Sequence, residues 1–350
     1  VNSGSAGLVY SAVSVTVKAD EATPTTGSKW QVVSDALTRE SKLPSALDVS
    51  SEVVLKRINA TQKDSAENEF RIATKIAVNG GHKYAIPYLD RIVEEDTQQL
   101  WLVLERVQPS IYGIDLNEYI SNGFFQQPTH VSLSQSVVLQ LLAGLAHVAA
   151  AGVVMRDVKS DNVLIQLSQE DGSEPSVLAR WSDFGLAVDL SQNGNQLRRP
   201  RIGNPDDILQ QQLVGWWYDT QKQVPKPKWE NRCPPEKCYL GDSAFAFDMY
   251  MMGIIICCIA TGIDFPHLGT KAIDAEVQRL LGIPLAEDYL KRFELGQVVG
   301  THEEVFLGCF TNTFGEVFGE ALLRMTRAML ATDPAARPTA EYALSALAFL

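Results

Sequence analysis

Several features that mark particular classes of protein are scarce or missing in this chain of 350 residues. The five cysteines include no Cys-x-x-Cys pair and the five histidines are scattered, so the usual metal and redox motifs are excluded. An odd number of cysteines suits a reducing compartment. No secretory signal sequence and no internal repeat are visible. The hydrophobic content of 45% and the charged content of 21% are those of a soluble globular protein.

Long apolar runs and an excess of positive charge are also missing. The most apolar run, Met249–Ile263, has 15 residues, so we predict a buried helix there and no transmembrane segment in the chain. The formal net charge of −12 argues against a nucleic acid or an anionic membrane surface as the main partner. The same charge permits a basic protein segment as a partner.

What the chain does contain is a set of short polar motifs in a fixed order. Asp157 lies five residues before Asn162, and Lys159 lies two residues after Asp157; Asp183-Phe184-Gly185 follows. At this spacing one carboxylate can orient a hydroxyl and accept its proton, while an amide oxygen and a second carboxylate hold Mg²⁺ against a triphosphate. Each motif alone is a common turn sequence, because Asp, Asn and Gly are turn formers. Their joint occurrence favours the catalytic interpretation.

The motifs resemble the catalytic and metal-binding loops of the protein kinases. The resemblance implies that Asp157 positions a substrate hydroxyl and that Asn162 and Asp183 bind the Mg²⁺ that accompanies ATP. It implies that Lys159 offsets the charge of the transferred phosphoryl group, and a Lys at that position marks Ser or Thr specificity. The expected partner is therefore a protein substrate, and the expected cofactors are ATP and Mg²⁺.

The N-terminal third contains segments that the resemblance places around the nucleotide. Residues 2–9 resemble a Gly-rich loop in which Asn2 replaces the first Gly, although an ordinary Gly/Ser-rich terminus has the same composition. Lys56 is expected at the α- and β-phosphates with Glu69 as its partner and Glu67 as the alternative; an edge-strand Lys is the simpler interpretation. Leu104 is expected as the gatekeeper beside the adenine. The residues expected to bind ATP are Gly4, Gly7, Val9, Val54, Lys56, Leu104, Glu105, Val107 and Leu164.

Three later segments complete the resemblance and argue against a small-molecule kinase. Cys233-Pro234-Pro235-Glu236 resembles the Ala-Pro-Glu that closes the activation segment, and Asp248 to Gly253 resembles the start of the central helix of the large lobe. Arg337 stands in the last landmark of the family. The resemblance predicts structural roles for Asp248, Glu236 and Arg337, and a buried ion pair between the last two.

The resemblance covers essentially the whole chain and implies a bilobal α+β fold. We expect a small β-rich N-lobe over residues 1–107 and a larger helical C-lobe over residues 108–350. The stretch of 45 residues between Tyr10 and Lys56 is longer than the usual hairpin, so we predict an exposed insertion over residues 11–50. We also predict two strands around an acidic turn at residues 168–175.

Some positions depart from the family pattern and motivate a rival interpretation. Met155 replaces the usual His, Ala73 puts a small residue one turn beyond Glu69, and Trp229 stands where the family often has Thr. Met155 and Ala73 suggest a softer link between the lobes. Asn2, Met155 and Trp229 motivate the rival, a pseudokinase, which is a binding or scaffold module with the same fold. The intact catalytic and metal-binding side chains favour an enzyme. The candidates for regulation by phosphorylation are Arg156 as a phosphate-binding residue and Ser191 and Thr220 as acceptors.

A narrower resemblance concerns four short segments. Val53-Val54-Leu55-Lys56, Trp101-Leu102-Val103, Cys233 to Glu236 and Phe247 to Tyr250 are similar to the chloroplast state-transition kinases of plants and algae. That group phosphorylates light-harvesting antenna proteins on Thr at the stromal face of the thylakoid. This resemblance implies a chloroplast location, with the cytoplasm as the alternative.

Overall fold

The computed structural model describes residues 2–4, 7–17, 47–58, 63–93, 99–168, 175–190, 244–262, 302–331 and 334–350. Strands predominate in the N-terminal part of these ranges and helices in the C-terminal part. The predicted bilobal α+β fold is thus confirmed, with an antiparallel sheet on one side of the site and a helical core on the other.

The N-terminal part is built on a five-stranded sheet in the order β1-β2-β3-β5-β4, in which each pair of neighbours is antiparallel. Val54 in β3 lies opposite Leu104 in β5, and Lys56 lies opposite both Val9 in β2 and Leu102 in β5. Cross-strand neighbours share a face of the sheet, so the residues expected around the nucleotide come together through strand register. The strands are Asn2–Gly4 (β1), Gly7–Val17 (β2), Leu47–Ile58 (β3), Tyr88–Val93 (β4) and Leu100–Glu105 (β5).

Parts of the predicted insertion at residues 11–50 belong to two strands of the sheet. Strand β2 continues to Val17, and β3 begins at Leu47, which pairs with Val17. The reason is the alternation of valine with small polar residues from Ala12 to Val17, which is the period-two pattern of a strand and outweighs the polar composition. Residues 18–46 lie outside the described part of the chain.

Helix α1, Lys63–Ala77, packs against the sheet through Ile72, Ala73 and Ile76, which are all buried. A short 3-10 segment, Val78–Lys83, connects it to β4. The C-terminal end of α1 is tied to the helical part of the protein, because His147 Nε2 donates to the carbonyl oxygen of Ile76 at 2.9 Å.

The helical part is organised around a helix that is buried on all sides. This is α4, and its residues from Met249 to Ala260 are all buried, so the predicted buried helix is confirmed, with a start at Ala244. A helix with no polar face belongs at the centre of a helical core. The helices of this part are Leu116–Ser121 (α2), Val131–Ala150 (α3), Ala244–Thr261 (α4), His302–Phe314 (α5), Glu316–Met329 (α6) and Ala340–Leu347 (α7).

Within the described ranges, one helical stretch, Pro128–Ala150, is long and apolar enough to cross a membrane by length and composition. The longest uninterrupted apolar run of the sequence is shorter than this stretch, because Gln, Ser and His residues interrupt its apolar positions. Half of the residues in its most apolar part are buried, and α3 packs on strand β8 (Ser176–Trp181) and on α4, α5 and α7. Burial of this kind is that of a core helix.

Two small two-stranded antiparallel sheets frame the site. Strands β6, Val153–Val154, and β9, Val188–Asp189, pair with each other, and β7, Val163–Ser168, pairs with β8, Ser176–Trp181. The predicted pair of strands around residues 168–175 is therefore confirmed. The loop between β6 and β7 holds Asp157, and the loop between β8 and β9 holds Asp183, so the pairing of these strands brings both carboxylates to one edge.

Candidate active site

Lys56 lies at the centre of a buried cluster of charges between the two parts of the fold. Its Nζ is 2.9 Å from Glu69 Oε1, 3.1 Å from Glu69 Oε2 and 3.1 Å from Asp183 Oδ1. The expected contact between Lys56 and Glu69 is present. Glu67, the alternative, instead forms an ion pair with Arg91, which leaves both side chains partly exposed. Lys56 therefore joins β3, α1 and the loop after β8.

The charges in this cluster determine the protonation states. Burial lowers the pKa of Lys56, but the carboxylates of Glu69 and Asp183 more than offset it, so the pKa is raised above its ordinary value. Burial raises the pKa of Glu69 above its ordinary value, and Lys56 opposes that rise. Burial acts to raise the pKa of Asp183 as well, but the charge of Lys56 outweighs it, so this pKa lies below its ordinary value. Lys56 is therefore charged at neutral pH, and Asp183 is ionised.

Asp157 is held by two side chains of its own loop. Lys159 Nζ lies 2.8 Å from Asp157 Oδ2, and Asn162 Nδ2 donates to the same oxygen and to the Asp157 carbonyl oxygen, both at 2.9 Å. The carboxylate is largely buried. Both side-chain contacts use Oδ2, so Oδ1 is the oxygen that can accept a proton from a hydroxyl group.

The predicted metal ligands, Asn162 and Asp183, come from two loops that are hydrogen-bonded to each other. The backbone N–H and the hydroxyl of Ser182 both donate to the Asn162 carbonyl oxygen, at 2.8 and 3.1 Å. The Asn162 amide nitrogen points to Asp157, which leaves its amide oxygen as a ligand, and Asp183 uses Oδ1 for Lys56 and for the Gly185 N–H. An amide oxygen and a carboxylate oxygen are the ligands that Mg²⁺ prefers.

This donor set fits Mg²⁺ bound together with a nucleotide. Across the described ranges there is no group of three or more His, Cys, Asp and Glu side chains that could hold a metal ion. One or two protein ligands with phosphate and water completing the shell is the usual arrangement for Mg²⁺ at a nucleotide.

Asp248 in α4 anchors the loop that carries Asp157 through two hydrogen bonds. The backbone N–H groups of Met155 and Arg156 donate to Asp248 Oδ2 and Oδ1, at 2.7 and 2.8 Å. Arg156 has a φ of 65°, which is uncommon for a residue other than Gly, and Asp183 has a φ of 56°. Burial raises the pKa of Asp248 to about 7, against the opposing effect of these two hydrogen bonds. A buried acceptor thus holds a strained backbone next to the candidate catalytic residue.

The residues expected around adenine lie on the five-stranded sheet, on the segment that follows β5 and on β7. Leu104 and Val107 are buried, and Val54 and Leu164 are half-buried against the main core. The Glu105 N–H donates to the Pro87 carbonyl oxygen at 3.0 Å. The Glu105 side chain contacts Arg180 at 2.8 Å. Gly4 and Gly7 lie opposite each other at the β1–β2 turn, and Val9 lies opposite Lys56.

The remaining predicted residues are placed only in part. Arg337 is buried, donates to the carbonyl oxygens of Ala246 and Ala331 at 3.0 and 2.8 Å, and lies over the Tyr250 ring with its guanidinium carbon 4.9 Å from the ring centroid. Its predicted partner lies outside the described residues. Glu236, Ser191, Thr220 and Trp229 are the predicted residues outside the described ranges.

Sequence reasoning missed two residues, one that contacts the site and one that holds the helix carrying Glu69. The Tyr88 hydroxyl donates to Glu69 Oε1 at 2.5 Å. Asp189 in β9 is buried and contacts Arg71 Nη1 at 2.8 Å and Lys75 Nζ at 2.7 Å, so it ties α1 to the strand that follows Gly185. The one signal for Asp189 is the spacing of Arg71 and Lys75, which puts two cations on one face of the helix.

A paired lysine, a loop aspartate and two oxygen ligands across one cleft form a site that can hold a nucleoside triphosphate with Mg²⁺. The family model for the protein kinase domain matches residues 44–347. The chain belongs to the protein kinase family, of the eukaryotic type.

Several kinases are similar to this chain over part of their length. The Caenorhabditis elegans "Serine/threonine-protein kinase/endoribonuclease ire-1" is 31% identical over 148 residues, which are 42% of this chain and 14% of that protein. The Schizosaccharomyces pombe "Serine/threonine-protein kinase shk1/pak1" is 26% identical over 155 residues, 44% of this chain and 20% of that protein. The "CTD kinase subunit alpha" of the same yeast is 25% identical over 303 residues, 83% of this chain and 43% of that protein. The chain spans less than half the length of each of these relatives.

Proposed function

We propose that this chain is a Ser/Thr protein kinase that transfers the γ-phosphoryl group of ATP to a protein hydroxyl. The observation that carries the proposal is that Lys56 contacts Glu69 and Asp183 at the same time, at 2.9 and 3.1 Å. That contact spans the small lobe, the helix α1 and the metal-binding loop. Family membership supports the same activity, and so do the names of the relatives.

In this proposal each polar side chain has one task. Lys56 holds the α- and β-phosphates, and Asn162 and Asp183 hold Mg²⁺, which supplies charge neutralisation at the phosphates. Asp157 Oδ1 accepts the proton of the substrate hydroxyl, whose oxygen forms a bond to the γ-phosphorus as the bond to the β-phosphate oxygen breaks and ADP leaves. Lys159 offsets the charge on the transferred group. Positioning and electrostatic stabilisation supply most of the rate enhancement.

The test is transfer of labelled phosphate from ATP to a generic basic protein in the presence of Mg²⁺. We expect transfer by the parent chain, and its loss in Asp157→Ala and Asp183→Ala. Glu69→Gln tests the partner of Lys56, and Glu67→Gln is its matched control two residues away on the same helix, because Glu67 forms its ion pair on the surface. Nucleotide binding without transfer by the parent would overturn the proposal in favour of a pseudokinase.

Specificity for Ser and Thr rests on Lys159, which contacts Asp157 at 2.8 Å. A hydroxyl presented to Asp157 would lie beside this ammonium group, which fits the short reach of a Ser or Thr side chain. Phosphoamino-acid analysis of the labelled product tests this part. We expect phosphoserine and phosphothreonine only, and phosphotyrosine as the main product would contradict the assignment.

We propose antenna proteins of the chloroplast as the substrate class, with the kinase at the stromal side of the thylakoid. Support comes from the four short segments that are similar to the state-transition kinases, of which Val53 to Lys56 and Trp101 to Val103 lie on the neighbouring strands β3 and β5. Incubation of the active chain with isolated thylakoid membranes and labelled ATP tests the proposal. Labelled threonine in antenna proteins would support it, and transfer confined to non-thylakoid proteins would argue for the cytoplasmic alternative.

A further inference from the structure

Helix α1 has a small side chain, Ala73, on the face that carries Glu69. Ala73 is one turn beyond Glu69 and is buried, so the helix presents a methyl group where it meets the rest of the core. Ala73, Met155 and Phe184 belong to one buried cluster. A small side chain at this point provides little apolar contact to fix the helix, and Glu69 depends on the helix for its position.

Tyr88 at the start of β4 occupies this region with both its ring and its hydroxyl group. Its ring centroid lies 6.2 Å from that of Phe184, with an angle of 56° between the ring planes. Its hydroxyl donates to Glu69 Oε1 at 2.5 Å, and Tyr88 is opposite Leu104 in the sheet. The side chain therefore contacts Glu69 from a strand and the Phe of the metal-binding loop at the same time.

The Tyr88 hydroxyl donates to the same oxygen of Glu69, Oε1, that accepts a hydrogen bond from Lys56. Glu69 Oε1 accepts from Lys56 at 2.9 Å and from Tyr88, while Oε2 accepts from Lys56 at 3.1 Å. Two donors from different strands leave the buried carboxylate little freedom to rotate. A charge-assisted hydrogen bond of this kind is stronger than one between neutral groups.

We propose that Tyr88 is a positioning residue of the active site, which holds the Glu69 carboxylate against Lys56 through its hydroxyl group in place of a bulky side chain on α1. The proposal rests on the proposed kinase function. Tyr88 takes no part in the chemistry, since its hydroxyl is buried against Glu69, and it acts through the Lys56–Glu69 contact.

The hydroxyl also affects when Glu69 is ionised. The titratable groups that face Glu69 are Lys56 on β3, Asp183 after β8 and Tyr88 on β4. Burial raises the pKa of Glu69, and the hydrogen bond from Tyr88 is among the interactions that lower it. Loss of the hydroxyl therefore moves this pKa upward, so Glu69 takes up a proton at a higher pH and releases Lys56 sooner as the solution is acidified.

The test compares Tyr88→Phe, Tyr88→Leu and Tyr119→Phe with the parent. Tyr88→Phe keeps the ring and removes only the hydroxyl, whereas Tyr88→Leu removes both. Tyr119→Phe is the matched control, because Tyr119 is also buried and its hydroxyl hydrogen-bonds to a side chain, Ser110 Oγ at 2.7 Å, in the helical part of the protein.

We expect kcat/KM for ATP to fall about tenfold in Tyr88→Phe, the loss that corresponds to one hydrogen bond to a charged group. The acid limb of the pH profile should move to higher pH in the same variant. Tyr119→Phe should keep the kcat/KM and the pH profile of the parent, and Tyr88→Leu should have a lower kcat/KM than Tyr88→Phe. A parent-like rate and pH profile in Tyr88→Phe would overturn the proposal and leave Tyr88 a packing residue.

A second readout separates this proposal from the proposed function. The affinity for ATP with Mg²⁺ is measured for each variant by titration calorimetry, whether or not the chain transfers phosphate. An inactive parent with about tenfold weaker binding in Tyr88→Phe refutes the kinase activity and supports the positioning role. Equal affinity in the parent and Tyr88→Phe refutes the positioning role. A parent that binds no nucleotide overturns both.

Discussion

Asp248 provides the sharpest test of how the catalytic loop is held. Its two hydrogen bonds stabilise the folded protein, whereas the burial of its charge destabilises it, and these two effects depend differently on pH. The change is Asp248→Asn, which keeps the size of the side chain but replaces one acceptor oxygen by an NH₂ group. The N–H groups of Met155 and Arg156 each bind one oxygen at 2.8 Å or less, so one of them loses its acceptor. A buried donor without an acceptor costs about 1–3 kcal/mol.

The pKa of Asp248 adds a pH dependence of known sign. Burial raises this pKa from its ordinary value of 3.8 to about 7 in the folded protein. Because the pKa is higher in the folded than in the unfolded protein, the protonated form of Asp248 stabilises the fold. This contribution is full below the unfolded pKa and is lost as the pH rises through the folded pKa. Between about pH 5.5 and 7 the loss is about 1.4 kcal/mol per pH unit, or about 2 kcal/mol in all, and it levels off above that.

The free energy of unfolding is measured for both proteins between about pH 5.5 and 8, by urea denaturation followed through tryptophan fluorescence. Asn does not titrate, and the other titrations of the chain cancel in the difference between parent and variant. We expect Asp248→Asn to be less stable at the acid end, with the difference shrinking by about 2 kcal/mol towards pH 8. A difference that widens as the pH rises would refute the reasoning, since the two hydrogen bonds would then outweigh burial and lower the pKa.

Two further predictions concern stability. Asp189→Asn should lower the free energy of unfolding by about 1–2 kcal/mol, because its partners, Arg71 and Lys75, are about one-third exposed and can be hydrated. The double substitution Arg71→Gln with Lys75→Gln should lower it more, by about 3–5 kcal/mol, because the buried carboxylate of Asp189 then has no partner among these cations. Urea denaturation measures both, and equal losses would contradict the argument. Gly144→Ala should cost about 1–3 kcal/mol, because its new Cβ would lie 2.7 Å from the indole ring of β8. Gly308→Ala, with nothing within 4 Å of the new Cβ, is the matched control and should be neutral or stabilising in a thermal melt.

The polar groups at the ends of strands could be predicted from the sequence because their chemistry restricts both residue type and spacing. Lys56, Asp157, Asn162 and Asp183 all come together in the structure. Glu69 could be chosen over Glu67 on physical grounds too, because it shares a helix face with the buried Ile72, Ala73 and Ile76, three, four and seven residues later.

Tyr88 and Asp189 could not be predicted because their roles depend on proximity between distant segments. Tyr88 is 19 residues from Glu69, and Asp189 is 118 residues from Arg71. Neither residue type has a motif around it. The strands at the two ends of residues 11–50 are hidden for a different reason, because the polar composition of this stretch masks the two-residue alternation of β2.

The hydrogen bond from His147 to the Ile76 carbonyl oxygen makes the C-terminal end of α1 a pivot. Because this end is hydrogen-bonded to the helical lobe, a movement of the small lobe that keeps this bond and breaks the ion pairs of Arg71 and Lys75 with Asp189 tilts α1 about Ile76. Glu69 is seven residues along the helix, about 10 Å from the pivot at 1.5 Å per residue, so a tilt of about 10° moves it by about 2 Å. That displacement is enough to separate Glu69 from Lys56, since a hydrogen bond does not survive such a stretch. A small rotation of the small lobe about this end of α1 can therefore separate Glu69 from Lys56 while the catalytic loop stays in place.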